Sequence, residues 1–216
     1  IVTMSENEIC PLCHSESTVF RAYSKKTFLE CTTCRGIFLS KQYHVDKEAE
    51  KARYDRHDND VENLDYQKFV SPLVQAVLRD FTPSHKGLDF GAGPGPVISK
   101  LLRENNFDII EYDPYYWDNA ALLNETYDYI VCCEVMEHFN TPDKSFQLLK
   151  ELLKPGGKLY CMTSLYKEEI NFDTWFYKND VTHVFFYREE TLHWIQQNFG
   201  FSSVKLDGKA IIFSND

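Results

Sequence analysis

The stretch Leu88-Asp89-Phe90-Gly91-Ala92-Gly93-Pro94-Gly95 decides the fold of this chain. An apolar segment ends in an acidic residue, and three glycines follow at alternate positions. Glycine allows the backbone to turn sharply and to approach a ligand closely. The next residues, 96–102, have a helical pattern, and the start of a helix presents unpaired N–H groups to a ligand. The pattern predicts a nucleotide-type site at the end of the first strand of an α/β sheet.

The glycine spacing indicates which ligand this site binds. It is G-x-G-x-G, whereas dinucleotide-binding proteins carry G-x-G-x-x-G. A carboxylate at Asp89 would repel a pyrophosphate but would suit the ammonium group of an amino-acid-like cofactor. The loop therefore indicates S-adenosylmethionine (SAM).

Four segments in chain order resemble the class I SAM-dependent methyltransferases, and the resemblance extends over residues 86–213. The segments are the glycine loop, Ile109-Ile110-Glu111-Tyr112-Asp113-Pro114, Tyr127-Asp128-Tyr129-Ile130-Val131-Cys132-Cys133-Glu134-Val135-Met136-Glu137-His138-Phe139 and Leu152-Leu153-Lys154-Pro155-Gly156-Gly157-Lys158-Leu159. The resemblance implies an enzyme that transfers a methyl group from SAM. It also implies that Asp113, the acidic residue after the second strand, binds the ribose of SAM.

Ten residues are candidates for the cofactor site. Asp89 and the loop amides are expected to hold the methionine end, Asp113 the ribose hydroxyls, and the residues ending the fourth strand the methionine moiety. The full set is Asp89, Gly91, Ala92, Gly93, Gly95, Tyr112, Asp113, Pro114, Glu134 and Val135.

The rest of the chain predicts the sheet around this site. Strands near 86–90, 107–112, 127–133 and 157–163 alternate with helices near 96–105 and 142–153, which implies parallel strands. Asp207-Gly208 between two strand-like runs predicts a hairpin. The resemblance implies a seven-stranded, mostly parallel sheet in the order 3-2-1-4-5-7-6, flanked by helices. Only thirteen residues separate Asp113 from Tyr127, so the third strand is compressed and Trp117 or Leu123 is a candidate to cover the adenine.

Four of the seven cysteines have the spacing C-x2-C-x17-C-x2-C: Cys10, Cys13, Cys31 and Cys34. This spacing suits two knuckles that present four thiolates to one tetrahedral Zn²⁺. Two disulfides are the alternative, which a reducing compartment disfavours. Four protein ligands leave no open position, so the zinc is expected to be structural. The other cysteines, Cys132, Cys133 and Cys161, lie in apolar runs typical of buried strands.

These patterns divide the chain into three parts. Residues 1–44 are predicted to form a zinc-ribbon module, residues 45–86 a helical linker or lid, and residues 87–216 the SAM-binding methyltransferase domain. The polar segment 53–59 is a candidate lid over the cofactor, and a solvated helix face is the alternative.

Histidines are the candidate catalytic residues, because an acceptor that must lose a proton needs a base near pH 7. His138 follows the fourth strand and His183 follows the fifth, so both are expected at the edge of the sheet over the donor methyl. Structural hydrogen bonding is the alternative role for each. In the aromatic segment 171–177, Trp175 and Tyr177 are candidates to line an acceptor pocket, with packing against the sheet as the alternative.

Composition, together with the aromatic segment, favours a small-molecule or sugar-like acceptor. The formal net charge is −10, which argues against a nucleic-acid partner because such proteins usually present a basic surface. No apolar run reaches the roughly 18 residues that a membrane span requires, and no secretory signal is apparent, so a cytoplasmic protein is expected. Two alternatives stay open. One is an RNA or protein methyltransferase that docks its substrate through basic residues of the ribbon, and the other is a non-catalytic module that senses the cofactor.

Overall fold

A computed structural model describes residues 8–56 and 60–216. The strands are β1 (Ser17–Tyr23), β2 (Lys26–Cys31), β3 (Ile37–Leu39), β4 (Lys86–Phe90), β5 (Asp108–Tyr112), β6 (Tyr127–Cys133), β7 (Leu153–Met162), β8 (Phe185–Phe186), β9 (Ser203–Asp207) and β10 (Ala210–Asn215). The α-helices are α1 (Lys47–Tyr54), α2 (Leu64–Asp80), α3 (Val97–Glu104), α4 (Pro142–Glu151) and α5 (Glu189–Asn198).

The large sheet has the order β5-β4-β6-β7-β10-β9. Its first four strands are parallel, and β10 pairs antiparallel with both β7 and β9. The predicted hairpin turn at Asp207-Gly208 joins the two antiparallel strands. The prediction of an α/β fold with a central sheet flanked by helices is confirmed.

The predicted count of seven strands needs a correction. The described residues form six strands in this sheet, because no strand occupies the place of the third strand at the outer edge of β5. The segment between β5 and β6 instead holds a short 3-10 helix, Ala120–Asn124, and an isolated bridge between Asp113 and Trp117. Thirteen residues are too few for a helix and a further strand, so β5 is left as the edge of the sheet.

A second, smaller sheet has the order β1-β2-β3-β8, and all its pairs are antiparallel. Its first three strands lie in the cysteine-rich module, whereas β8 comes from residues 185–186. Phe185 packs so closely on this module that a Cβ added at Gly36 would lie 2.3 Å from its ring. Phe28, Ile37 and Leu39 share one buried cluster with Trp175, Tyr177 and Phe186. The module is thus part of the same packed body as the segment after β7.

Polar contacts also join the module to the large domain. The guanidinium of Arg188, which is buried, donates to Glu30 of β2 at 2.8 Å. His14, which follows the first cysteine pair, places its Nε2 within hydrogen-bond distance of Oδ2 of Asp143 in α4, at 3.0 Å. His14 therefore contacts the large domain beside the cysteine cluster.

The helices follow from amphipathic patterns. Helix α2 begins at Asn63, whose side chain accepts hydrogen bonds from the backbone N–H groups of Asp65 and Tyr66, a capping arrangement that satisfies otherwise unpaired donors. Its apolar face buries Val70, Leu73 and Val77 against the sheet. Among residues 8–56 and 60–216, no helix combines the length and apolar character needed to cross a bilayer.

Candidate functional site

A cavity of about 940 Å³ lies at the carboxyl ends of β4, β5 and β6. This is where ligands bind in open α/β sheets, and the volume falls in the range of small-molecule sites. Residues of α1, α2 and the segment after β7 close its other sides. The cavity therefore lies between the edge of the sheet, the two helices that precede the sheet and the segment after β7.

The glycine loop forms one wall through a turn that requires glycine. Gly91 and Gly93 have φ values of +78° and +64°, a region that other residues rarely adopt. A Cβ at Gly91 would lie 2.5 Å from Cγ2 of Val135. The N–H of Gly91 donates to the carbonyl oxygen of Tyr112 at 2.8 Å, so the loop is held against the end of β5.

Asp113 follows β5 and lies beside this loop. It is largely buried, and its carboxylate accepts hydrogen bonds from the N–H of Gly93 at 3.0 Å and from the N–H of Tyr115 at 2.8 Å. These bonds fix the carboxylate at the cavity wall. Oδ1 also accepts a bond from the N–H of Tyr116 at 3.3 Å, whereas Oδ2 accepts, among the described residues, only the bond from Gly93 and retains a lone pair, as needed to accept a bond from a ribose hydroxyl.

Eight of the ten predicted cofactor residues line the cavity: Gly91, Ala92, Gly93, Tyr112, Asp113, Pro114, Glu134 and Val135. Asp89 and Gly95 do not; both are buried behind the loop. The Ser99 hydroxyl donates to Asp89 Oδ2 at 2.8 Å. Burial raises the pKa of Asp89 to about 7, against the opposing effect of the Ser99 hydrogen bond. Asp89 thus connects β4 to the first turn of α3.

Both candidate histidines line the cavity and lie next to each other. Their ring centroids are 4.7 Å apart with the planes at 75°. The Nδ1–H of His138 donates to the carbonyl oxygen of Thr182 at 3.0 Å, and that of His183 donates to the carbonyl oxygen of Tyr177 at 2.7 Å. Burial, and to a smaller extent the neighbouring His138, lowers the pKa of His183 to about 4. His183 is therefore neutral at pH 7.

Two acidic residues meet one tyrosine next to the histidines, and sequence reasoning did not foresee this contact. The hydroxyl of Tyr177 lies 2.5 Å from Glu137 Oε1 and 3.0 Å from Glu134 Oε2. Burial, together with repulsion between the two carboxylates, raises the pKa of Glu134, and burial raises the pKa of Glu137. Glu134 has a φ of +52°, a strained value for a residue with a side chain. The E-V-x-E-H motif carries both acids, but the tyrosine is forty residues away.

Helix α1 lies across the cavity. The guanidinium of Arg53 donates to Asp180 at 2.6 Å, which joins the helix to the segment after β7. The hydroxyls of Tyr54 and Tyr115 both donate to Glu50, at 2.7 and 2.8 Å, which joins the helix to the segment after β5. In the candidate lid 53–59, Arg53, Tyr54 and Arg56 line the cavity and Asp55 does not, while residues 57–59, among them His57, lie outside the described residues.

The aromatic candidates divide between the cavity and the core. Tyr177 lines the cavity, whereas Trp175 is buried among core aromatics and does not. Phe176 lines the cavity and is 78% exposed. Trp117 lies outside the cavity wall and donates its indole N–H to the carbonyl oxygen of Gly93 at 2.7 Å, so it holds the loop from behind. Leu123 packs against the core.

The four cysteines of the two C-x2-C pairs form one cluster. Their sulfur atoms all lie within 4.8 Å of one another, with 3.6 Å between Cys10 and Cys34 and 3.2 Å between Cys13 and Cys31. A disulfide requires about 2.05 Å, whereas thiolates around a tetrahedral Zn²⁺ at 2.3 Å lie about 3.8 Å apart. The N–H groups of Thr33 and Cys34 point to the sulfur of Cys31. The cluster has the composition and spacing of a closed metal site.

The comparisons with known proteins agree with this architecture. The family profile described as a methyltransferase domain matches residues 61–206. A ubiquinone biosynthesis O-methyltransferase from Klebsiella pneumoniae is 30% identical over 77 residues, which are 36% of this chain and 32% of that protein. The chain thus matches about a third of the length of this curated relative.

Solved structures share the fold at low sequence identity. A SAM-dependent methyltransferase from Archaeoglobus fulgidus superposes with a TM-score of 0.55 at 16% identity, covering 79% of this chain and all of the other. Human N-acetylserotonin methyltransferase, in complex with SAM, superposes with a TM-score of 0.54 at 16% identity, covering 78% of this chain and 57% of the other. The profile match extends over more than half of the chain, and the chain therefore belongs to the methyltransferase domain family.

Proposed function

We propose that this protein is a SAM-dependent methyltransferase that acts on a hydroxyl group of a small molecule. One observation carries the proposal. The glycine loop, Asp113, His138 and His183 all line one cavity. A cofactor held by the loop would thus share a space with groups able to receive a proton.

The residues present fit SAM in chemistry and shape. The turn at Gly91 leaves the loop backbone facing the cavity without a side chain, and Asp113 offers fixed acceptors for ribose hydroxyls. Bound SAM would supply a methyl group on a positively charged sulfur, and transfer of that group to an acceptor oxygen would require the hydroxyl to lose its proton. The protein must therefore position the acceptor and assist the loss of its proton.

The residues around the two histidines support a small acceptor with a hydroxyl group. Tyr54, Phe176 and Tyr177 give the cavity aromatic surface, which suits a planar or ring-shaped molecule. The two imidazoles hold their N–H groups on backbone carbonyls, which directs the basic nitrogen of each ring away from those carbonyls. O-methylation is also the reaction named for the ubiquinone-biosynthesis relative, although the match covers a minority of both chains.

A nucleic-acid acceptor has weaker support. Of the basic residues in the ribbon, Arg21 pairs with Asp173 and Arg35 with Glu30. Their charges are thus already partly compensated by carboxylates, which reduces any attraction for phosphate. We further propose that the ribbon holds one structural Zn²⁺ at Cys10, Cys13, Cys31 and Cys34 and that it supports the acceptor side of the cavity, since β3 pairs with β8.

Transfer of label from methyl-labelled SAM tests the proposal. Purified protein is incubated with hydroxylated small molecules, with matched compounds that lack the hydroxyl, and with total RNA and protein from a cell extract. We expect label only in the hydroxylated small molecules. His138→Ala and His183→Ala should each lower turnover by about 10²- to 10⁴-fold while SAM affinity is retained. Label found in RNA or protein alone would contradict the proposed acceptor class.

A further inference from the structure

We propose that Glu137, His138 and His183 bind one divalent metal ion at the wall of the cavity. One ligand atom from each residue, a carboxylate oxygen or a ring nitrogen, lies within 4.8 Å of the other two. All three residues line the cavity. Glu137 and His138 lie in the turn after β6, whereas His183 lies in the segment between β7 and β8. The fold therefore brings His183 to the other two residues.

The hydrogen bonds of the two imidazoles suit metal ligation. A carbonyl oxygen can only accept, so the bonds to Thr182 and Tyr177 place the ring proton of each histidine on Nδ1. The lone pair of each neutral ring is then on Nε2. Histidines that bind metals almost always donate their other N–H to a carbonyl or carboxylate in this way, which fixes the ring orientation.

The carboxylate of Glu137 provides the independent observation. Its side chain is fully buried, and Oε1 accepts a hydrogen bond from Tyr177. Among the described residues, Oε2 has no hydrogen-bond partner although it is inaccessible to solvent. Buried polar atoms of this kind are rare and costly. A cation bound at Glu137 would supply the missing interaction.

Charge in this part of the cavity also favours a cation. Glu134 lies next to Glu137 through their shared contact with Tyr177. In residues 8–56 and 60–216, neither carboxylate forms an ion pair with a lysine or arginine. The buried carboxylate of Glu137 and the half-buried carboxylate of Glu134 repel each other, and a divalent ion would compensate both. Glu134 is thus placed to complement the three ligands.

The donor set defines the class of metal. Two imidazole nitrogens and a carboxylate suit Mn²⁺, Fe²⁺ or Zn²⁺, whereas Ca²⁺ and Mg²⁺ prefer oxygen ligands alone. Three protein ligands leave coordination positions open, as in catalytic metal sites, in contrast to the closed cysteine cluster. The role of the ion rests on the proposed function and changes one step of it. With both Nε2 atoms on the ion, the imidazoles would act as ligands and not as proton acceptors. An acceptor hydroxyl at an open position would then have a lowered pKa and would release its proton to water.

Binding of Mn²⁺ alone, followed by the loss of its free electron paramagnetic resonance signal, tests the site without any turnover. Mn²⁺ is chosen because thiolates favour softer ions. We expect about one Mn²⁺ per chain outside the ribbon. Glu137→Gln and His183→Ala should each weaken binding by at least about 10-fold, as loss of a ligand-shell group typically does. The exposed controls Glu151→Gln and His193→Ala should bind Mn²⁺ like the wild type.

A second measurement separates this proposal from the proposed function. The SAM affinity of Glu137→Gln and His183→Ala is measured by calorimetry, and an unchanged affinity establishes that each variant is folded. A variant whose SAM affinity has changed is replaced by His138→Ala. Equal Mn²⁺ binding by wild type and ligand variants, or none by the wild type, would overturn the metal site. Full methyl transfer by metal-free enzyme would overturn its role but leave the proposed function intact. Specific Mn²⁺ binding without transfer to any hydroxyl would contradict the proposed function alone.

Discussion

The hydroxyl of Tyr177 lies 2.5 Å from Oε1 of Glu137, and both side chains are buried at the wall of the cavity. This contact joins the turn after β6 to the segment after β7. Because the two elements carry His138 and His183, the same hydrogen bond fixes the relative position of the two imidazoles. It is therefore central to the geometry of the acceptor side.

Removal of this hydroxyl should be costly. We expect Tyr177→Phe to lower the free energy of unfolding by about 1.5–3 kcal/mol, the usual effect of a hydrogen bond to a charged group. Tyr23→Phe is the matched control, since the Tyr23 hydroxyl donates to the exposed Asp173. Denaturant unfolding of the two variants measures the difference. Equal stabilities would mean that the buried contact contributes no more than the exposed one.

The cysteine cluster should contain about one equivalent of zinc in freshly purified, reduced protein, as expected for a closed four-thiolate site. Elemental analysis measures this content. Cys31→Ser should lose the metal and lower methyl transfer, because Phe28 and Ile37 of the ribbon belong to the same buried cluster as Tyr177. SAM affinity should survive, since the glycine loop is not part of that cluster. Cys161→Ala should keep the full zinc content, and absence of zinc from the wild type would refute the assignment.

The contact between Arg53 and Asp180 should help α1 close the cavity. We expect Arg53→Ala to raise the KM of the acceptor by about 2- to 5-fold, because a partly exposed ion pair contributes up to about 1 kcal/mol. Arg79→Ala removes an ion pair with Asp207 on the surface and should leave the KM unchanged. Steady-state kinetics compares the two variants. The lid interpretation would fail if both had the wild-type KM.

Asp80 should make stability depend on acidic pH. Burial alone would raise its pKa, but hydrogen bonds from Arg79, Lys158 and Tyr160 lower it from 3.8 to about 2. An acid with a lowered pKa in the folded state stabilises the protein above its unfolded pKa, and this contribution disappears as the pH falls towards 2. The stability difference between wild type and Asp80→Asn should therefore shrink from pH 5 to pH 2. Denaturant unfolding across this range measures it, and a constant difference would contradict the assignment.

Local patterns predicted most of the large sheet. The four predicted strands from 86 to 163 and the terminal hairpin are confirmed, since each depends on residues close together in the sequence. The small sheet could not be predicted in full, because β8 has only two residues and is a strand only through its pairing with Ile37 and Phe38. The missing edge strand was implied by the resemblance, and only the shortness of the segment 114–126 indicated otherwise.

The sequence predicts which residues lie near one another in the candidate site, but not the hydrogen bonds that join them. Motif spacing placed the glycine loop, Asp113 and both histidines at one sheet edge. It could not give the direction of Asp89, because central strands of a parallel sheet are buried on both faces and lack a polar alternation. The meeting of Glu137 and Tyr177 arises from tertiary packing across forty residues, which no local pattern encodes.

Calorimetric titration of the protein with SAM tests the central claim most directly. The wild type should bind one SAM per chain. Gly91→Ala should lose at least about 10-fold in affinity, because its Cβ would lie 2.5 Å from Val135 at the cavity wall and its φ of +78° disfavours a side chain. Gly208→Ala carries a similar backbone strain at φ +60°, with no atom within 4 Å of the added Cβ, and should bind SAM like the wild type. Absence of SAM binding by the wild type, or wild-type affinity in Gly91→Ala, would contradict the account.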